Sequence, residues 1–206
     1  MSARLGPVLK RGVDLVGASL GLAVLAPVMA GLAAAVRLES PGPALFRQPR
    51  LGQDGEVFEV LKFRTMVVGA GNGAVTQNDA RLTRLGGPLR RWSLDELPQL
   101  INVIRGDMSL VGPRPDRTFR REQYSVKQRR RLRVRPGITG LAQVSGRNAL
   151  DWEARNGLDV RYVDEWSLAL DAEILARTVS TVVFGRGVNF EPGQAHAAPS
   201  QAEAAE

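Results

Sequence analysis

Two carboxylates stand side by side at Asp95 and Glu96, inside the segment Arg90-Arg-Trp-Ser-Leu-Asp-Glu-Leu-Pro-Gln99. A carboxylate can act as a covalent nucleophile, as a general base or as a ligand to a hard cation. Neighbouring helical positions lie about 100° apart and do not share a face, so the pair converges on one site only where a helix ends or is distorted. Pro98 is read as the source of that distortion, because a proline biases the residue before it, Leu97, away from helical angles. Acidic pairs are also common on solvated helix faces, and spacing alone leaves both readings open.

The basic side chains narrow the chemistry. Lys62 and Arg64 fall at the end of a predicted strand, Arg90 and Arg91 precede the carboxylates, and Arg114 lies between Pro113 and Pro115. A planar guanidinium matches phosphate oxygens, and a Pro-Arg-Pro loop would present it with little entropy to lose. The set fits a diphosphate better than a nucleic-acid duplex. Each arginine taken singly could also be a solvated surface charge. The 206 residues contain no cysteine, and His196 is the only histidine. Thiolate catalysis, a disulfide framework, a cysteine zinc site and histidine acid–base chemistry in the main body are therefore excluded. A formal charge of +7 points to an anionic partner.

The elements that must position these residues follow from pattern. Leu45 to Arg50 and Glu56 to Met66 read as two strands joined by the turn Gly52-Gln-Asp-Gly55, a small hairpin. Gly69 to Asn78 is a polar glycine-rich loop, and Pro88 to Ile104 is helical in composition but interrupted at Pro98. Met108 to Pro115 reads as a loop, Asp116 to Arg135 as one charged helix, and Pro136-Gly137 as a turn before a glycine-spaced run to Gly146. Trp152 to Tyr162 and Leu168 to Phe184 read as two further helices. The fold class expected is mainly α with a small β-hairpin, that is α+β.

Ahead of this lies Leu15 to Val36, 22 residues without a charge. At ~1.5 Å per residue such a helix spans roughly 33 Å, close to the ~30 Å hydrocarbon thickness of a bilayer. Pro27 near its middle removes a backbone donor and should kink the helix there. Arg4, Lys10 and Arg11 precede the run and Arg37, Arg47 and Arg50 follow it, leaving no charge asymmetry to orient a crossing. A re-entrant membrane helix with both ends on one side is the expectation; an ordinary crossing, a buried soluble helix and an uncleaved signal are the alternatives. The divisions read as a basic lead over 1–12, the re-entrant helix over 13–36, a cytosolic catalytic domain over 37–191 and a disordered tail over 192–206.

Four blocks then occur in order: Lys62-Phe-Arg-Thr-Met66, Ser93-Leu-Asp-Glu-Leu-Pro-Gln-Leu100, Gly106-Asp-Met-Ser-Leu-Val-Gly-Pro-Arg-Pro115 and Arg135-Pro-Gly-Ile-Thr-Gly-Leu141, with Gln143-Val-Ser-Gly-Arg147 following. Together they resemble the bacterial sugar transferase family, the monotopic phosphoglycosyl transferases, in its minimal catalytic form, over roughly Lys10 to Asn189. The resemblance implies transfer of a sugar phosphate from a UDP-sugar to polyprenol (undecaprenyl) phosphate, with loss of UMP, as the first membrane step in making an exopolysaccharide, O-antigen, capsule or glycoprotein. By that likeness Asp95 is the nucleophile that forms an aspartyl phosphosugar, and Glu96 assists the metal or the incoming lipid phosphate. Magnesium is the implied cofactor, with Asp95 and Glu96 as its protein ligands. Lys62, Arg64, Arg90, Arg114, Arg135 and Arg147 are the implied substrate-binding set, and Pro27 takes the place of the family's bend. The implied location is the cytoplasmic face of the bacterial inner membrane, with amphipathic helices resting on its surface. A homo-oligomer is left open.

Nine basic side chains occupy Arg117 to Arg135. A cluster beside a membrane attracts anionic lipid, so membrane-surface contact is favoured over nucleic acid, for which no recognisable module or interleaved aromatics are present. Two further classes stay in view. A membrane-tethered basic protein could bind anions without chemistry. An aspartyl-phosphate phosphatase is disfavoured because Asp95 lacks a second aspartate two residues on.

Overall fold

The computed structural model describes residues 2–70, 79–146 and 150–183. The chain is mostly helical with two small sheets. Helix α1, Ser2–Glu39, takes in the residues read as a lead and runs through Pro7 and Pro27 without a break. It is followed by the antiparallel hairpin β1, Leu45–Leu51, and β2, Val57–Phe63, paired from Leu45↔Phe63 to Leu51↔Val57. Then come α2, Gly86–Arg91, a 3-10 turn over Leu94–Glu96, and α3, Gln99–Arg105. Strand β3, Ser109–Val111, pairs in parallel with β4, Gly137–Thr139, and α4, Leu141–Ser145, α5, Trp152–Glu165, and α6, Leu168–Val183, are the last elements of the described residues.

Helix α1 buries one stripe and leaves the rest open. Ala18 joins Val60, Leu100, Val103 and Met108 in one core, while Val36 joins Phe63 and Leu89 in another. Leu22, Leu25, Met29 and Leu32 fill the stripe between them at helical spacing. Val8, Leu9, Val16, Leu20 and Val24 are exposed, and only 6 % of the most apolar window of α1 is buried within the protein. A helix apolar all round with one partnered stripe is what a lipid-facing element requires. A third core, Val111, Leu141, Tyr162 and Ile174, lies under α4, α5 and α6.

Both ends of α1 are tied to the same polar domain. Lys10 Nζ donates to Asp171 at 2.7 Å and to the Val111 carbonyl at 3.1 Å. Arg11 donates to the carbonyls of Val103 and Ile104, and buried Asp14 accepts from Ser109 Oγ and the Leu110 amide. At the other end, Glu39 Oε1 accepts the Leu85 amide at 2.9 Å.

Two expectations need correction. Asp116 to Arg135 is not one helix but two 3-10 segments, Thr118–Arg121 and Gln128–Arg133. A single helix would stack Arg117, Arg120 and Arg121, and again Lys127, Arg130 and Arg131, at repelling spacings of three and four. The broken path instead turns Arg131 inward to Asp116 and Asp159. Met108 to Pro115 and the glycine-spaced run also contribute strands, because glycine lets them approach: a Cβ on Gly137 would lie 2.1 Å from the Gly112 amide nitrogen.

Candidate active site

The dyad turn is anchored on α1. Leu94 and Leu97 flank Asp95 and Glu96 and pack into the cluster of Val36, Phe63 and Leu89, with Met29, Leu32 and Ala33 of α1. The distortion that presents the carboxylates comes from a different residue than expected. Leu97 keeps right-handed helical angles at φ −53°, ψ −38°, and Pro98 opens α3. Ser93 instead takes the left-handed conformation at φ 55°, ψ 22°, ending α2 and starting the 3-10 turn. A β-carbon in that region costs roughly 1–2 kcal/mol, the kind of strain that survives where the surroundings enforce it.

The two carboxylates have opposite surroundings. Glu96 accepts from Arg114 Nη2 at 2.6 Å and Nη1 at 3.2 Å, a bidentate pair, and from Lys62 Nζ at 2.8 Å. Burial alone would raise its carboxyl, but Arg114 and Lys62 outweigh burial and hold it well below the usual carboxylate range. The same pairing raises the Arg114 guanidinium above its ordinary value. Asp95 is 7 % exposed, and among the described residues its carboxylate accepts no hydrogen bond. Burial and then the Glu96 charge push it up to about 6, against the pull of Lys62, Arg90 and Arg114. It is an ionised, underpartnered carboxylate at neutral pH, the condition of a nucleophile.

The cations are placed by rigid supports. Lys62 sits on β2, whose free edge is stitched to α3 by buried Asn102: its Oδ1 accepts the Leu61 amide at 3.0 Å, and its Nδ2 donates to the Glu59 carbonyl at 2.7 Å. Arg114 sits on a loop in which four successive carbonyls are taken. Pro113 O accepts from the Gly137 amide at 2.9 Å, Arg114 O from Arg131 Nη2 at 2.7 Å, Pro115 O from Arg50 Nη1 at 3.3 Å and Asp116 O from the Leu51 amide at 2.9 Å. Arg90 donates from Nε to buried Thr65 Oγ1 at 2.8 Å, and burial lowers its guanidinium while Asp95 pulls the other way. Arg50 is lowered to about 10 by burial and by the neighbouring Arg114 and Arg117 cations. This surplus of positive charge beside one open carboxylate suits a ligand carrying phosphate.

Lys62, Arg90 and Arg114 are thus brought to the dyad, and two other expected substrate contacts are not. Arg64 is buried and caps the end of α1, donating to the carbonyl of Val36 and to those of Ser40 and Pro41 just beyond the helix, where carbonyls lack intrahelical partners. Arg135 is exposed and donates to the Gly106 carbonyl at 2.9 Å, at the carboxy-terminal cap of α3 and not to the dyad. Arg147, residues 71–78 of the glycine-rich loop and the tail over 192–206 lie outside the described residues. Sequence reading missed Arg50, Asn102 and Arg131, whose roles depend on partners far along the chain.

Residues 5–185 match the family model described as bacterial sugar transferase. The chain is 45 % identical over 182 residues to the "Uncharacterized sugar transferase EpsL" of Bacillus subtilis (strain 168), covering 88 % of this chain and 90 % of that protein. It is 47 % identical to the "UDP-glucose:undecaprenyl-phosphate glucose-1-phosphate transferase" of Escherichia coli (strain K12), covering 84 % of this chain but 39 % of that protein. A protein of the same name from Caulobacter vibrioides is 46 % identical, with 84 % of this chain and 69 % of that one covered.

Proposed function

The chain belongs to the bacterial sugar transferase family, and from that premise we propose that it transfers a sugar phosphate from a UDP-sugar to polyprenol phosphate, yielding a polyprenyl-diphosphate-sugar and UMP. The observation that carries the proposal is the divided dyad: Glu96 is neutralised by Arg114 and Lys62 while Asp95 stands open beside them. In the first step an Asp95 oxygen forms a bond to the sugar-linked phosphorus, the diphosphate P–O bond breaks, and UMP leaves with the electron pair. In the second, an oxygen of polyprenol phosphate attacks that phosphorus and releases the Asp95 carboxylate. Arg114, Lys62 and Arg90 offset the charge that builds on the phosphoryl oxygens, and such electrostatic stabilisation accounts for most of the acceleration in phosphoryl transfer.

The donor set fits a magnesium ion only in the mode where substrate phosphates supply most ligands. Among the described residues no group of three or more acidic, histidine or cysteine side chains converges, and both Glu96 oxygens are engaged by cations. The Asp95 carboxylate together with diphosphate oxygens would hold it. Bound there, the ion supplies further neutralisation of the diphosphate.

The ties at both ends of α1 support attachment from one membrane face, which we take to be the cytoplasmic face of the inner membrane. A span that placed Lys10 and Glu39 on opposite sides would have to break the bonds of Lys10, Arg11 and Asp14 or those of Glu39. The test of function is to incubate purified protein in detergent with polyprenol phosphate, magnesium and a panel of UDP-sugars. UMP release that requires the lipid for turnover supports the proposal. Salt-sensitive anion binding with no UMP from any UDP-sugar would leave a binding protein instead.

A further inference from the structure

Arg131 is 5 % exposed, an unusual place for a guanidinium, and its four bonds explain it. Nη2 donates to Asp159 Oδ2 at 2.6 Å and to the Arg114 carbonyl at 2.7 Å. Nη1 donates to Asp116 Oδ2 at 3.1 Å and to the Tyr124 hydroxyl, which itself donates to Asp116 Oδ2 at 3.0 Å. One rigid fork therefore grips the chain on both sides of Pro115, from behind the loop whose front carries Arg114 to Glu96. Prolines at 113 and 115 have no N–H, so the loop can be held largely through its carbonyls. Of the groups that take those carbonyls, Arg131 is the one bonded at Arg114 itself.

We propose that Arg131, locked by Asp159 on α5, is a positioning residue that holds the Arg114 guanidinium in register with the Asp95–Glu96 dyad. The inference rests on the catalytic reading above and extends it to a residue that touches no substrate. Lysine cannot replace it, because one ammonium cannot present a planar fork to acceptors on α5, on Tyr124 and on both flanks of Pro115. With the clamp loosened, the Arg114 guanidinium loses its register with Glu96.

The test is a double-mutant cycle of Arg114→Lys and Arg131→Lys on the full chain in detergent, with folding checked by circular dichroism. It is read as kcat/KM for UMP release and, separately, as affinity for inorganic pyrophosphate. Each single variant should lose at least about tenfold, and the double variant should match Arg114→Lys alone within about threefold, since residues acting through one contact are not additive. KM for the UDP-sugar and the dissociation constant for pyrophosphate, each expressed per folded molecule, should rise in Arg131→Lys, which a simple loss of folded protein would not cause. Multiplying losses, or losses in kcat/KM and pyrophosphate affinity that only track the unfolded fraction, would overturn the inference. If Arg131→Lys does not fold, Asp159→Asn, which releases one side of the fork, takes its place in the same cycle. If the wild-type chain releases UMP from no UDP-sugar, the function proposal fails, and the pyrophosphate cycle alone then decides on Arg131.

Discussion

Glu96 accepts both Nη groups of Arg114, at 2.6 and 3.2 Å, while Asp95 beside it accepts neither. Adjacent in sequence, the carboxylates are divided by which way the 3-10 turn points them: one into a bidentate ion pair, the other into a buried position where, among the described residues, it accepts no hydrogen bond. In the proposed reaction this division separates a charge-holding role from a reacting one, and each can be tested alone.

Asp95→Asn should abolish both turnover and the covalent phosphosugar adduct, because an amide is not a competent nucleophile at phosphorus. It should also stabilise the fold. The carboxyl of Asp95 is raised by burial from 3.8 to about 6, so the native state disfavours its charged form. That penalty is absent below pH ~4, grows as pH rises toward ~6 and is complete above it, whereas asparagine never incurs it. Thermal unfolding should show a gain of about 1–3 kcal/mol at pH 7.5 that vanishes near pH 4. Residual turnover, or an unchanged melting temperature at both pH values, would contradict these roles for Asp95.

Glu96→Gln should also lose turnover, though adduct formation can persist. Removing the neighbouring negative charge lowers the Asp95 carboxyl, so the acid limb of adduct formation should shift to lower pH. A rapid-quench series of adduct yield against pH measures it, and an upward shift would mean that the released Arg114 and Lys62 have moved away.

Much of this site was legible from local sequence, and the reasons for the misses are physical. The hairpin and both carboxy-terminal helices follow from apolar patterning and helical spacing, whereas the grouping of the dyad with Lys62, Arg90 and Arg114 rests on the family resemblance, because residue type alone leaves solvated charges as the alternative. The source of the bend did not. Pro98 is the obvious breaker, yet Ser93 takes the left-handed angles, a choice enforced by packing of Leu94 and Leu97 against α1. Arg64 and Arg114 look alike as residue types in sequence. Only the position of the bare carbonyls at the end of α1 makes one a cap and the other an ion-pair partner. Asn102 and Arg131 bind partners such as Leu61, 41 residues away, and Asp159, 28 residues away, a separation that periodicity cannot sense.

Arg64→Met tests that reassignment. It leaves the carbonyls of Val36, Ser40 and Pro41 without their charged donor and should destabilise the chain by about 2–4 kcal/mol. KM for the UDP-sugar, measured on the folded fraction, should stay within about twofold of wild type. A large KM change with little loss of stability would return Arg64 to the substrate.

The last prediction concerns the membrane. If Lys10, Arg11 and Asp14 hold one end of α1 to the domain and Glu39 holds the other, cysteines placed at Ser2 and Ser40 in this cysteine-free chain should be labelled from the same side of sealed vesicles. Labelling from opposite sides would establish a crossing. Pro27→Leu restores the missing backbone donor and should favour a straight crossing, lowering activity because Leu94 and Leu97 seat the dyad on α1. Asp14→Leu then separates two causes. It deletes the acceptor of Ser109 and Leu110 without touching the proline, so opposite-side labelling in Asp14→Leu alone would assign the topology to the polar ties. Opposite-side labelling in Pro27→Leu alone would assign it to the proline.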